Sequence, residues 1–237
     1  MNSTNIRAGG IAFLTVVLSA VAGLPVAAAV DNCGLSLADA SRSNSQSSDA
    51  WSNYQLGLAY ATGRGVPTNC AKSKQYIQQA AEARYPAAEN ALGELYEASK
   101  PPNYAEAVKW YRSSALAGNA RAQYNLGRLI VHGHADVTAA NSISLPASQV
   151  ANNDWVTWET AHSSGDDRYA AAARLWTASA LSRDHVAQYH LGTLFESGLG
   201  VQLNPDLAIQ LYRLAAPFVP EAASRLRQLQ PAGTPHR

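Results

Sequence analysis

Four copies of a short motif, a Leu-Gly pair followed two residues later by an apolar pair, recur along this 237-residue chain. They stand at Leu56-Gly57, Leu92-Gly93, Leu126-Gly127 and Leu191-Gly192, so the first three are 36 and 34 residues apart and the last gap is 65. Self-similarity at that period marks stacked supersecondary units, each unable to bury its apolar face alone. The chain is therefore expected to be all-α, built from helix pairs, and to bind along a surface rather than in an enzyme pocket.

Each Leu-Gly lies within one apolar stripe. Ser52, Ala88, Ala122 and Ala187 stand five residues before the Gly, and Tyr60, Tyr96, Ile130 and Phe195 three residues after it. With the Leu between them these positions are four apart and share a helix face. The Gly costs about 1 kcal/mol of helix propensity relative to Ala. Its recurrence at one register predicts a neighbouring helix so close that a Cβ would clash. A second stripe follows, in which Ser73, Ala107, Ala172 and Ala208 precede Ile77, Tyr111, Trp176 and Tyr212 by four residues. Small residues come next, at Ala80-Ala81, Ser114-Ala115, Ser179-Ala180 and Ala215-Ala216. Such a small-large-small face suits tight packing on the first helix. Turn signals separate the stripes: Gly63-Arg64-Gly65-Val66-Pro67 before Asn69, and Gly198-Leu199-Gly200-Val201 before Asn204-Pro205-Asp206. In the latter, Asn204 is an N-cap, Pro205 the first helical residue, and Asp206 complements the positive helix end.

The Leu-Gly, the Gly-x-Gly-Val loop and the stretch Trp110-Tyr111-Arg112-Ser113-Ser114-Ala115 resemble the Sel1-like repeat, a relative of the tetratricopeptide repeat. The resemblance covers residues 49–229 and implies an α-solenoid, a right-handed superhelix of four helix-turn-helix repeats with a C-terminal capping helix. Two departures stand out. The second repeat replaces the Gly-x-Gly-Val loop with Glu97-Ala98-Ser99-Lys100-Pro101-Pro102-Asn103, and the third is split by an insertion of roughly 29 residues, within about 134–166. From Pro220 to Gln230 the start of a first helix recurs, with Ala222 and Leu226 in register. The Gly position there is Arg227, as a terminating cap requires.

Residues 1–29 read as a secretory signal, with Arg7 as n-region, Ile11 to Leu24 as apolar core, and cleavage near Ala29 after Ala27-Ala28. An uncleaved anchor is the alternative, but the apolar run is short for a span and ends in Gly23 and Pro25. A periplasmic or secreted protein without integral membrane insertion is expected, with a segment 30–48 tethered to the first repeat and a tail at 230–237. Removing the signal takes one of 18 basic residues and none of 17 acids, leaving a formally neutral chain. That argues against nucleic acid or anionic lipid as the main partner. The two cysteines, Cys33 and Cys70, form an even pair, which in an oxidising compartment is most often bridged. A redox thiol would want a Cys-x-x-Cys motif, which is missing.

The tetratricopeptide-like relatives line a concave groove with their first helices. Carried over by position, the residues three before each Gly (Tyr54, Asn90, Tyr124, Tyr189) and one after it (Leu58, Glu94, Arg128, Thr193) are expected to face a polypeptide partner. Tyrosines combine apolar contact with hydrogen bonding at low entropic cost, and Glu94 beside Arg128 favours a polypeptide over a polyanion. The competing reading of the same tyrosines is inter-repeat packing. The insertion, with Trp155 and Trp158, is a second contact candidate; those tryptophans must be covered by the solenoid or by a partner. As an appendage, residues 136–164 are expected to be dispensable for folding.

Enzyme readings find little support. Cysteine-rich secreted relatives of the repeat have been linked to β-lactams, but a serine β-lactamase needs a Ser three residues before a Lys. Lys72, Lys74, Lys100 and Lys109 follow Asn69, Ala71, Glu97 and Glu106 at that spacing. Neither Gly-x-Ser-x-Gly nor His-Glu-x-x-His occurs. His132, His134, Asp136 and His162 are the only metal candidates, and adjacent loop histidines are more often solvated. No cofactor is expected. A non-enzymatic interaction scaffold is the leading expectation, with glycan binding, or a β-lactam- or cell-wall-active enzyme, as alternatives.

Overall fold

The computed structural model describes Cys33, Leu35 and residues 48–143 and 167–229. Among the described residues there are nine α-helices, one 3-10 turn and no strand. The helices are α1 (Ser48–Thr62), α2 (Cys70–Glu82), α3 (Pro86–Glu97), α4 (Tyr104–Leu116), α5 (Ala120–Val131), α6 (Asp167–Leu181), α7 (His185–Ser197), α8 (Pro205–Ala215) and α9 (Pro220–Leu229). Each packs on its neighbours in the chain, so α1–α2, α3–α4, α5–α6 and α7–α8 form four successive hairpins and α9 closes the array. The third hairpin forms across the insertion: α5 and α6 pair although residues 132–166 separate them.

The conserved spacing of small and large residues is what joins the two helices of each pair. A Cβ built on Gly57 would stand 2.5 Å from Ile77 Cγ1, and one on Gly93 2.6 Å from the Tyr111 ring. On Gly127 it would meet Trp176 Nε1 at 2.6 Å, and on Gly192 Tyr212 Cε1 at 2.7 Å. These are the four large residues of the second stripe. All four are fully buried, and Trp176, Tyr111 and Tyr212 are among the largest side chains in the core. Each first helix thus opens a notch by omitting a Cβ, and each second helix fills it with a ring or a branched side chain.

Capped turns lie both within the hairpins and between them. The side chains of Asn69, Asn103, Asn119, Asp184 and Asn204 each accept the backbone N–H three residues on, at 2.9–3.1 Å, satisfying donors at the helix start. Helix α7 ends at Gly198, whose φ of 69° lies in the left-handed region where glycine is preferred. The Ser114 hydroxyl donates to Pro86 O at 2.6 Å and that of Ser179 to Ala120 O at 2.8 Å. Equivalent serines of two repeats therefore tie the second helix to the start of its own first helix.

The apolar core runs through the described residues as three consecutive clusters. At its N-terminal end Cys33 and Cys70 form a disulfide with a Cα–Cα distance of 5.2 Å. This places Leu35, fully buried, among residues of α1, α2 and α3. The expected tether is thus a core element as well as a covalent one. At the other end Arg227, in the Gly register, is exposed, and α9 buries Ala222 in the last cluster.

The start of the insertion is not an appendage. Val137–Ala140 forms a 3-10 turn that packs on α4, α5 and α6, with Ala139 and Ala140 buried and Val137 and Ile143 packed against the same cluster. An apolar Val-x-Ala-Ala segment next to the notch between α5 and α6 is covered there. A deletion from residue 136 onward would therefore remove part of the core.

Candidate interaction face

The eight first-helix positions divide by depth. Tyr54 (1% exposed), Asn90 (2%), Tyr124 (4%) and Tyr189 (7%) are buried, as is Leu58. Glu94, Arg128 and Thr193 are half-buried and reachable. The tyrosine rings lie against other rings: Tyr54 on Tyr85 at 5.2 Å, Tyr124 on Trp176 at 6.2 Å, and Tyr189 on Tyr212 at 5.7 Å between centroids. They form the floor of the face, while the position after the Gly forms its accessible surface in the second, third and fourth repeats. Burial pushes the Tyr124 hydroxyl up to about 12, against the opposing pull of Arg128 and Arg121. Trp155 and Trp158 lie outside the described residues.

Charge on this face is organised by an arrangement the motif count missed. Four residues after Gly93 stands Glu97. Arg128 Nη2 donates to both its carboxylate oxygens, at 2.8 and 2.6 Å, and the Tyr111 hydroxyl donates to Oε2 at 3.0 Å. Four residues after Gly192 stands Glu196. There Arg225 donates through Nη2 at 2.6 Å and Nε at 2.9 Å, and the Tyr212 hydroxyl donates at 2.7 Å. In both copies one carboxylate joins the tyrosine of its own second helix to an arginine of the next first helix or cap. Charge-assisted hydrogen bonds of this kind are strong, and the two-nitrogen fork of Arg225 is directional as well. Burial works against the Arg128 charge, but Glu97 overrides it and holds the guanidinium above its usual range. Burial, then Glu94 and Glu97, hold the Tyr111 hydroxyl well above the phenol range. The sequence did carry a signal: the two repeats whose large residue is Tyr are the two with Glu at this position. The repeats with Ile77 and Trp176 have Ala61 and Val131 there instead.

In the third and fourth repeats the position two before the Gly turns inward, toward the preceding repeat. Asn125 donates to Asn90 Oδ1 at 3.1 Å and approaches Glu94 Oε1 at 3.5 Å, and Asn90 donates to the same Glu94 oxygen at 3.2 Å. In the next repeat the equivalent residue is His190. Its ring is enclosed by Tyr124 at 5.5 Å, Trp176 at 5.2 Å and Tyr189 at 5.2 Å, and neither ring nitrogen has a hydrogen-bond partner among the described residues. Burial, with Arg128 and His132 nearby, lowers its pKa to about 3.

At the base of the insertion, His134 stacks on Tyr104 at 3.7 Å and Asp136 caps the 3-10 turn by accepting from Thr138 N at 2.8 Å. The described residues hold no group of three or more His, Cys, Asp or Glu placed to bind a metal ion; His162 lies outside them.

An array of helix pairs locked by Gly-to-large contacts, with polar residues exposed along its first helices, defines a class: α-solenoids that present a surface. The Sel1 repeat matches residues 52–85, 86–119, 120–142 and 185–216, just over half of the chain, and the chain belongs to that family. A Sel1 repeat protein from Oxalobacter formigenes, known from its crystal structure, is 26% identical, with a TM-score of 0.57 over 80% of this chain and 68% of that one. The protein c5321, a protective antigen present in uropathogenic Escherichia coli strains and displaying an SLR fold, is 28% identical. That alignment has a TM-score of 0.42 and covers 76% of this chain but 41% of that protein. No curated protein matches the chain.

Proposed function

We propose that this chain is a non-enzymatic scaffold of the periplasm or the secreted space that holds a polypeptide partner along its first-helix face. The observation that carries this reading is the layering of that face. Buried Tyr54, Tyr124 and Tyr189 give a rigid aromatic floor, and Glu94, Arg128 and Thr193 remain reachable above it in successive repeats. Rigid positions presenting polar groups over covered aromatics suit a complementary protein surface. Opposite charges along one face suit a polypeptide better than a polyanion, and family membership points the same way.

The disulfide supports an oxidising compartment. No helix among the described residues is long and apolar enough to cross a membrane. In this reading residues 1–29 direct export and are removed near Ala29.

The test is crosslinking capture from the native envelope, comparing wild type with a Glu94→Lys, Thr193→Arg variant of unchanged circular dichroism and melting temperature. The reading expects one discrete protein partner with wild type and its loss with the variant. Equal capture by both moves the site off this face, and capture of no protein by either refutes the scaffold reading.

A further inference from the structure

A second surface lies on the first two repeats, away from the Glu94–Thr193 positions and independent of them. Three residues after the Gly, and one before the large residue of the second helix, the four repeats carry Tyr60 and Tyr76, Tyr96 and Trp110, Ile130 and Leu175, and Phe195 and Leu211. In repeats three and four these pairs are fully buried, at 0–1% exposure. In repeats one and two the same positions are aromatic and half-buried. Tyr60 and Tyr76 stack in parallel, 5.7 Å between centroids. The ammonium of Lys72 sits 5.1 Å from the Tyr60 ring centroid, and that of Lys74 4.7 Å from that of Tyr96. Both lysines are exposed, and among the described residues neither has a carboxylate within ion-pair distance. All four lysines of the chain fall in these two repeats.

The two lysines here offer donors only, and the tyrosine hydroxyls can both donate and accept. The hydroxyls of Tyr60, Tyr76 and Tyr96 make no hydrogen bond among the described residues, and the Trp110 indole N–H is covered, so its ring and not its nitrogen faces a ligand. Two exposed ammonium groups beside half-buried aromatic rings suit a ligand that brings carboxylates and apolar area together. Two uncompensated cations are too few to hold a nucleic acid or an anionic membrane, whose binding grows with the number of charges neutralised. They do suffice to orient a polypeptide, for which Tyr and Trp are the favoured anchors. We infer that Tyr60, Tyr76, Tyr96 and Trp110, with Lys72 and Lys74, dock an acidic polypeptide segment in which carboxylates alternate with apolar or aromatic side chains.

The probe is a fluorescein-labelled oligopeptide of alternating Glu and Tyr, titrated with the intact oxidised protein and read by fluorescence anisotropy. Saturable binding is expected, weakened about tenfold when Gln replaces Glu in the probe or when the protein carries Lys72→Gln and Lys74→Gln, with a shallower salt dependence. The Lys72→Arg, Lys74→Arg protein should bind as wild type, and so should Arg183→Gln, Arg227→Gln, which removes as much charge from exposed sites elsewhere. Glu94→Lys, Thr193→Arg should also leave the probe bound, so failure here and failure of the first-helix face are read separately. No saturable binding, or equal loss with the Arg183/Arg227 control, overturns the docking surface. Displacement of the probe by alginate as readily as by unlabelled peptide overturns the choice of a polypeptide and assigns an anionic glycan.

Discussion

Trp176 fills the space in front of Gly127: its indole nitrogen lies 2.6 Å from where a Cβ would stand, and it donates to Tyr124 O at 3.1 Å. One glycine thus admits a ring, and one hydrogen bond fixes its orientation, although the inserted segment separates the two helices. Gly127→Ala gains about 1 kcal/mol of helix propensity but overpacks a fully buried indole, which costs about 1–3 kcal/mol. The steric loss should win. Urea unfolding of Gly127→Ala and Gly192→Ala is expected to show a net loss of stability in both; a gain in either would contradict the notch.

The two carboxylate bridges should differ in strength. The side chains of Glu97 and Arg128 are 22% and 26% exposed, whereas Arg225, the partner of Glu196, is 42% exposed. Glu97→Gln leaves Arg128 without its countercharge in the more buried setting, for a loss of about 1–3 kcal/mol. Glu196→Gln should cost less, because water screens Arg225. Equal losses in chemical denaturation would show that burial does not set the strength of these pairs.

His190 gives the fold a pH dependence. Its folded pKa is lowered to about 3, first by burial and then by Arg128 and His132, against 6.5 for the free side chain. The unfolded chain therefore binds more protons, and the stability contributed by neutral His190 is lost as pH falls below about 6.5. At pH 5 the loss is roughly 2 kcal/mol. Glu89, whose pKa is raised chiefly by burial, works in the opposite sense as pH falls toward the carboxylate range. Comparison with His190→Phe isolates the histidine: wild type should lose roughly 2 kcal/mol relative to the variant between pH 7 and pH 5. A difference independent of pH would contradict the assignment.

Cys33 and Cys70 close a sequence separation of 37 residues. In the chain-entropy treatment such a closure stabilises by about 3–4 kcal/mol. Reduction should lower the melting temperature and, by freeing Leu35, expose the end of the core next to α1 and α3. Non-reducing peptide mapping of exported protein should find the two linked; two alkylatable thiols would contradict it.

The 3-10 turn provides a comparison of deletions. Removing residues 136–164 takes out buried Ala139 and Ala140 together with Val137 and Ile143. Removing 144–166 spares them. With equal Gly-Ser linkers, the first deletion should be the less stable by about 2 kcal/mol or more. Equal thermal unfolding would show that the turn contributes nothing to the core.

The architecture was legible because close packing leaves a periodic trace. Leu-Gly, the small-large-small stripe and the Asn caps each state a contact in one or two residues, and Gly127 and Trp176 fell in their registers on either side of an insertion. The face was less legible. A Tyr three residues before the Gly has the same spacing whether it contacts a partner or the next repeat, and only burial separates the two. Tyr54, Tyr124 and Tyr189 are floor, not surface. Glu97 and Glu196 escaped because their partners Arg128 and Arg225 lie in the next repeat and the cap, and are held at slightly different registers from the Gly. His190 escaped because nothing in a single sequence says that a histidine is enclosed by three rings.

The claim that the first-helix face holds a polypeptide is tested most directly by placing a photo-crosslinking amino acid singly at positions 94, 193 and 210 and irradiating cells that express the exported protein. Gln210 is exposed on α8, a second helix, and serves as the outer-face control. One discrete protein adduct shared by positions 94 and 193 and missing from 210 is the predicted result. An adduct formed from 210 alone, or no protein adduct from 94 and 193, would contradict it.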